Sequence, residues 1–202
     1  MDANTYVLIE ESSGACAVID AADCTERLLS VLRDERIKSV DYILLTHGHF
    51  DHTDGVKALK KEYPDAKVVI HKNDAPMLSD AFLSLASVFG AANNGYARED
   101  IRISGGEKLP FGSQEISVIH TPGHTRGGVC YIIDNCIFSG DTLFCRSVGR
   151  TDFPGGDYEE LNDSVCRLFD LDGDYIVYPG HFCETTLDYE RKHNGYVRWK
   201  NR

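Results

Sequence analysis

Thr46-His47-Gly48-His49-Phe50-Asp51-His52 follows directly on the apolar run Tyr42-Ile43-Leu44-Leu45. Three imidazoles and a carboxylate thus crowd into six residues at the end of a short buried-strand pattern. Such groups are costly to pack together without a compensating ion. Neutral imidazole with carboxylate suits zinc, iron or manganese. Alternation lets His47 and His49 point one way while Asp51 and His52 turn toward a neighbouring position, and Gly48 lets the backbone approach closely. The plainer reading, a solvated His-rich loop, leaves the spacing unexplained.

Three further segments share that grammar of apolar run, tight polar turn and ligand-type residue: Thr121-Pro122-Gly123-His124-Thr125, Ser139-Gly140-Asp141-Thr142 and Pro179-Gly180-His181. Strand ends are a common site of ligand binding in α/β proteins. Together the four segments offer His47, His49, His124 and Asp141 for one metal ion. Asp51, His52, His181 and a shared Asp141 remain for a second. Two metals ~3.5–4 Å apart form a hydrolytic centre. Five of the eight histidines lie in these segments.

Around them, residues 6–9 and 15–19 flank Ser12-Ser13-Gly14 and read as a β-hairpin. Residues 23–35 read as a helix capped by Asp23 or Thr25, and residues 54–63 as a second that stops before Pro64. Residues 67–70 read as a strand, with Asn73 or Asp74 capping a short helix after it. Phe82, Leu85 and Phe89 fit a helical face, and residues 91–95 a loop. Residues 80–100 as a whole read as a surface connection rather than a lid. Strand-like runs follow at 101–103, 116–119, 129–133 and 136–138, then a helix over 157–169, a strand over 175–178 and a helix over 184–192. Strands followed by helices in both halves predict a layered α/β domain spanning residues 1–202, with no linker to divide it.

Composition narrows the function. The chain has 202 residues, 42% hydrophobic and 26% charged, which excludes bulk disorder. No apolar run approaches the ~20 residues that cross a bilayer, and the first residues lack a signal peptide's basic flank. With 21 basic against 32 acidic residues the net charge is −11, which opposes nucleic acid as a partner. Seven cysteines without a Cys-x-x-Cys pair read as mostly buried, reduced thiols. A cytoplasmic enzyme acting on a small molecule is the expectation.

The ligand segments resemble the metallo-β-lactamase fold superfamily, whose T-H-x-H-x-D-H motif and downstream His, Asp and His match here at all seven positions, in order. Gly140-Asp141-Thr142-Leu143-Phe144, residues 149–156 and residues 184–191 are similar to the short bacterial glyoxalase II-like branch. The resemblance runs from Asn4 to about Tyr196. It implies a four-layer αββα sandwich of α/β (α+β) class and two divalent metal ions, zinc first, with iron or manganese as alternatives. It also implies a hydroxide, bridging and activated by those metals, that cleaves thioesters of the S-2-hydroxyacylglutathione type. Asp51 would hold that hydroxide and later shuttle a proton. Three departures stand out: Phe182 and Cys183 follow the last ligand histidine where the branch has Gly and often Pro, Asp188 replaces a Gly, and Gly195 replaces a Pro. The helical glutathione-binding domain of full-length glyoxalase II is expected to be missing.

Beyond the ligands, Arg150 is a candidate for a substrate carboxylate, with an ion pair to Asp152 as the equal alternative. Phe182 is expected to line the pocket and bear on substrate choice. Phe144 and Tyr178 are read as core before pocket, His71 and His120 as structural, and His193 as surface. Cys145 and Cys183 are set aside as ligands for want of paired spacing. Two enzymatic alternatives remain: a mononuclear-iron persulfide dioxygenase using His47 or His49, His124 and Asp141, and a hydrolase of another ester or lactone. A non-catalytic metal-stabilised domain is the third class, which seven intact ligands argue against.

Overall fold

The hairpin forms as β1 (Tyr6–Glu10) and β2 (Ala15–Ile19), paired antiparallel with Tyr6 opposite Ile19. The computed structural model describes residues 3–34, 36–91 and 98–198. Strand β2 shows how the layers arise from a period of two. Ala15, Ala17 and Ile19 face a second sheet, whereas Cys16 and Val18 face helices on the outside.

The first sheet continues in parallel through β3 (Ser39–Leu44), β4 (Lys67–His71) and β5 (Ile101–Ile103). Its outer face is covered by α1 (Glu26–Leu32) and, beyond the short α2 (Phe50–Thr53), by α3 (Val56–Glu62). Thr25 is the cap of α1, accepting from Leu28 N–H at 3.2 Å. Val18, Ile43 and Ile70 are fully buried there, and each such side chain contributes about 1.5–3 kcal/mol over exposure. The parallel strands are apolar on both faces because both are covered.

The second sheet runs β13-β12-β9-β8-β7-β6 and is built from β6 (Lys108–Phe111), β7 (Gln114–His120), β8 (Val129–Ile133), β9 (Cys136–Gly140), β12 (Ile176–Pro179) and β13 (Thr185–Thr186). A two-stranded ribbon, β10 (Leu143–Phe144) with β11 (Ser147–Val148), lies between β9 and α4 (Tyr158–Phe169) in the chain. Leu109, Ile116, Tyr131 and Phe138 meet the first sheet, while Cys130, Ile137 and Val177 meet α4 and α5 (Leu187–His193). Helix, sheet, sheet, helix is the expected four-layer α/β order.

Several local expectations change. Residues 81–90 form successive turns rather than a helical face: Leu85 is in the left-handed region at φ 68°, and Ser84 C=O accepts from Phe50 N–H at 3.0 Å. Residues 92–97, where part of the loop was expected, lie outside the described residues. The last helix begins at Leu187, because the β-branched pair Thr185–Thr186 joins β12 and the Thr186 hydroxyl accepts from Tyr189 N–H at 3.2 Å. Strand β6 was missed because it contains Pro110, which is tolerated at the sheet edge it occupies. All seven cysteines are free, but only Cys16 and Cys130 are buried and Cys183 is exposed, so mostly buried thiols is corrected.

Candidate metal centre

The topology delivers the ligand segments to one end of the sandwich. β9 and β12 are parallel, Pro179 pairs with Gly140, and Gly180 N–H donates to Gly140 C=O at 2.8 Å. Asp141 and His181 therefore leave neighbouring strands side by side. Across the sheets, Val129 N–H donates to Thr46 C=O at 2.9 Å, which brings the end of β3 to the start of β8. Gly180 must be glycine because a Cβ there would overlap Asp141 Oδ1 and come within 2.8 Å of His52 Cε1.

His49 is the extended N-cap of the one-turn helix α2 (ψ 148°), so Asp51 and His52 swing off its first turn instead of continuing a strand. Three groups result: His47, His49 and His124; His47, His52 and Asp141; and Asp51, His52 and His181. Within each, the ligand-type atoms lie within 4.8 Å of one another. His49 Nδ1 lies 3.0 Å from His124 Nε2, and His52 Nε2 lies 3.3 Å from His181 Nε2. Asp141 sits between them. Its Oδ2 is 3.4 Å from His124 Nε2 and 3.6 Å from His181 Nε2, and its Oδ1 is 3.5 Å from His52 Nε2. Asp51 Oδ2 is 3.5 Å from His181 Nε2. All seven predicted ligands are thus brought together.

The donor set fits a metal ion. Ligand atoms held ~2.0–2.1 Å from a tetrahedral zinc are about 3.3 Å apart, close to the spacings here. His47 Nε2 and Asp141 Oδ1 are buried without a hydrogen-bond partner, a costly arrangement that calls for an explanation. Burial, then the neighbouring imidazoles, pushes His47 well down and His49 to about 3, so both stay neutral as ligation requires. Asp51 goes the other way: burial would raise it, but the His181 hydrogen bond and nearby imidazoles hold it at about 2. Burial also opposes a charge on His52, yet Asp20, Asp141 and Asp51 lift it to about 9. The Asp51 hydrogen bond raises His181 as well. The carboxylates thus favour positive charge at this point, as the upward shifts of His52 and His181 show.

Two buried carboxylates hold the frame: Asp20, which the sequence reading passed over, and Asp74, read there as a cap candidate, which precedes the turn Ala75–Ser79 but makes no side-chain cap hydrogen bond. Asp20 accepts from Thr46 N–H (2.8 Å) and the Thr46 hydroxyl (2.7 Å), and its Oδ2 meets His52 Nδ1 at 2.9 Å. It thereby orients His52 so that Nε2 faces the centre. Asp74 accepts from Gly48 N–H (3.2 Å) and the Thr125 hydroxyl (2.7 Å), tying the first ligand loop to the His124 loop. His124 Nδ1 donates to Arg150 C=O at 2.7 Å. The available signal was the same one that marked the ligands: Asp20 ends the fully buried strand β2.

Above the ligands opens a cavity of about 430 Å³. Arg150 lines it, but its Nε and Nη2 reach Asp152 at 2.6 Å each and its guanidinium lies 3.9 Å over the Phe153 ring. Phe144 and Phe182 also line it, edge to face at 5.5 Å. Tyr178 packs instead against Phe138 and Tyr6 (5.2 and 5.5 Å). His71 and His120 stack on each other at 4.1 Å, and His193 contacts Tyr189 at 4.5 Å; none of the three lines the cavity. No described helix is long and apolar enough to cross a membrane.

The family model described as the metallo-beta-lactamase superfamily matches residues 2–181. The hydroxyacylglutathione hydrolase GloC of Haemophilus influenzae is 32% identical over 202 residues, covering 96% of this chain and 92% of that protein. Among solved structures, BLEG-1 B3 metallo-beta-lactamase superposes with a TM-score of 0.89 at 33% identity (97% and 94% covered). TTHA1623, in a di-iron-bound form, gives 0.85 at 34% identity (96% and 95% covered).

Proposed function

The chain belongs to the metallo-β-lactamase superfamily, and from that premise we propose that it is a binuclear metal-dependent hydrolase of thioesters of the S-2-hydroxyacylglutathione type. One observation carries the two-metal reading: Asp141 reaches His124 on one side and His52 and His181 on the other, all within 3.6 Å. His47, His49 and His124 with Asp141 would hold one ion, and Asp51, His52 and His181 with the same Asp141 the other. Zinc suits these donors, as do iron and manganese; the di-iron form of TTHA1623 keeps iron in view. The relative GloC supports the thioester class by its name. The 202 residues make one catalytic domain in this reading.

Bound divalent metals supply an acidified water and a Lewis acid for the scissile carbonyl. The chain's own part is positioning and proton handling. Asp51, ionised at any physiological pH, accepts a hydrogen bond from the attacking water and carries a proton toward the leaving group at its carboxylate. A departing thiolate needs little protonation, since thiols ionise near pH 8.5. Asp20 and the Arg150 carbonyl keep His52 and His124 from rotating out of position.

Protein purified without added metal should contain about two metal ions per chain and hydrolyse S-lactoylglutathione. Asp141→Ala and His49→Ala should each lose activity by at least a hundredfold. One metal per chain, with oxygen uptake on glutathione persulfide, would replace this reading with the mononuclear-iron dioxygenase. Absence of thioesterase activity with any thiol carrier would refute the substrate assignment.

A further inference from the structure

The cavity's walls say more about the substrate than its floor does. Phe50, Phe89 and Phe153 stand together on the His49 side, with centroids 6.0 and 5.9 Å apart and Phe153 6.2 Å from His49. Phe144 and Phe182 stand on the His181 side, 6.2 and 6.3 Å from that imidazole. Arg150, the guanidinium among the described lining residues, is already paired with Asp152 and stacked on Phe153. A carboxylate entering here would have to displace Asp152, whereas an apolar group meets ring faces and edges directly.

Phe182 is the informative residue. It adopts φ 69°, in the left-handed region, where a bulky side chain is an outlier costing strain. It also leaves 75% of its surface in water. The conformation is enforced from below: the Asn4 amide donates to Phe182 C=O and to Pro179 C=O, each at 3.0 Å. Glycine would relieve the strain and remove the exposed ring at once. A phenyl group that is strained and solvated in the free protein, beside a ligand histidine, gains its partner when something apolar lands on it.

We propose that Phe182, with Phe144, is the specificity-determining seat for a compact apolar or aromatic group attached to the scissile carbonyl. The substrate class is then an aryl- or branched-alkyl-bearing acyl thioester, in preference to a small acyl such as lactoyl. The acyl side is chosen over the thiol side for a geometric reason. A thiol carrier continues outward into solvent, while an acyl group ends within a few bonds of the carbonyl and reaches only rings next to the ligands. The proposal rests on the hydrolase reading above.

The test compares S-mandeloylglutathione with S-lactoylglutathione, two 2-hydroxyacyl thioesters of one thiol that differ by phenyl for methyl. In metal-loaded wild type kcat/KM should favour the mandeloyl ester at least tenfold, since even one methylene in an apolar pocket discriminates by that order. The ratio should collapse toward one in Phe182→Gly, a substitution suited to the backbone and expected to raise Tm. Calorimetric binding of mandelate and lactate to the same two proteins should show the same preference and the same collapse. A wild-type ratio at or below one, or a ratio unchanged in Phe182→Gly, overturns the proposal. If neither ester is turned over, the hydrolase reading fails, and the mandelate-to-lactate binding ratio alone then supports or overturns the seat.

Discussion

Replacing Asp20 by alanine tests whether a residue outside the ligand set governs the centre. The side chain is 2% exposed and receives three donors: Thr46 N–H, the Thr46 hydroxyl and His52 Nδ1. The hydroxyl can rotate to another acceptor, but the backbone N–H and the imidazole N–H cannot. Each buried donor left unpaired costs about 1–3 kcal/mol, so the metal-free protein should lose about 2–6 kcal/mol of stability. Losing the carboxylate that orients a ligating histidine typically weakens metal affinity 10–100-fold, or about 1.4–2.8 kcal/mol. That loss should fall on the ion held by His52 and spare the one held by His49 and His124. Asp20→Asn refines the test, since its single accepting oxygen cannot serve both Thr46 N–H, held by Oδ1, and His52 Nδ1, held by Oδ2. Urea denaturation reads the first effect and stepwise chelator competition the second. If both variants bind two ions with wild-type affinity while stability falls, Asp20 is only a structural hydrogen-bond acceptor and the positioning argument is refuted.

Gly180→Ala should abolish metal binding in the His52/His181 half without unfolding the sandwich, because the new Cβ overlaps Asp141 Oδ1 next to His52; metal content and circular dichroism together check this, and full occupancy would contradict it. The metal-free protein should be most stable near pH 6.5, by urea midpoints taken from pH 4 to 10. Below that, unfolded histidine takes up a proton near 6.5 while His49 stays neutral down to about 3, so stability falls with falling pH. Above it, folded His52 keeps its proton to about 9 after unfolded histidine has lost it, so its contribution, complete below 6.5, drains away as pH rises to 9. Bound metal should flatten the alkaline side, since ligating imidazoles are already deprotonated. A stability that climbs steadily from pH 6.5 to 9 in the chelated protein would contradict the charge arrangement.

The ligands were legible because their chemistry is dense in one dimension. Three histidines and an aspartate in six residues, echoed by turns after other apolar runs, needed no coordinates to be recognised. The strands were legible where short apolar runs stand between turn residues, as in β2 and β4. Elsewhere three-dimensional context overrode local pattern. Leu85 keeps helical spacing with Phe82 and Phe89, yet it is buried from a left-handed turn that no helix accommodates. Thr185 and Thr186 look like the start of a helix until β12 offers them an edge. Asp20 shares the strand-end position that marked the ligands, whereas Asp74 carries no local mark that separates it from a capping aspartate; the importance of both lies in partners 26 to 51 residues away. Arg150 was open between two fates in the sequence, and its bidentate contact with Asp152 shows the partner it has in this structure.

The centre draws on both ends of the chain's time order. His49 and His124 are 75 residues apart, and His52 and His181 are 129 apart. Neither half-sheet alone contains a complete set of donors, so no metal can be captured tightly until the two sheets have closed on each other. Loop-closure entropy for such distant pairs is lost before any ligation repays it. Metal uptake therefore reports docking of the halves rather than formation of either, and a bound ion acts as a rivet at the open rim of the sandwich. Stripping it should loosen that rim first, leaving the apolar seam between the sheets to hold the two halves together.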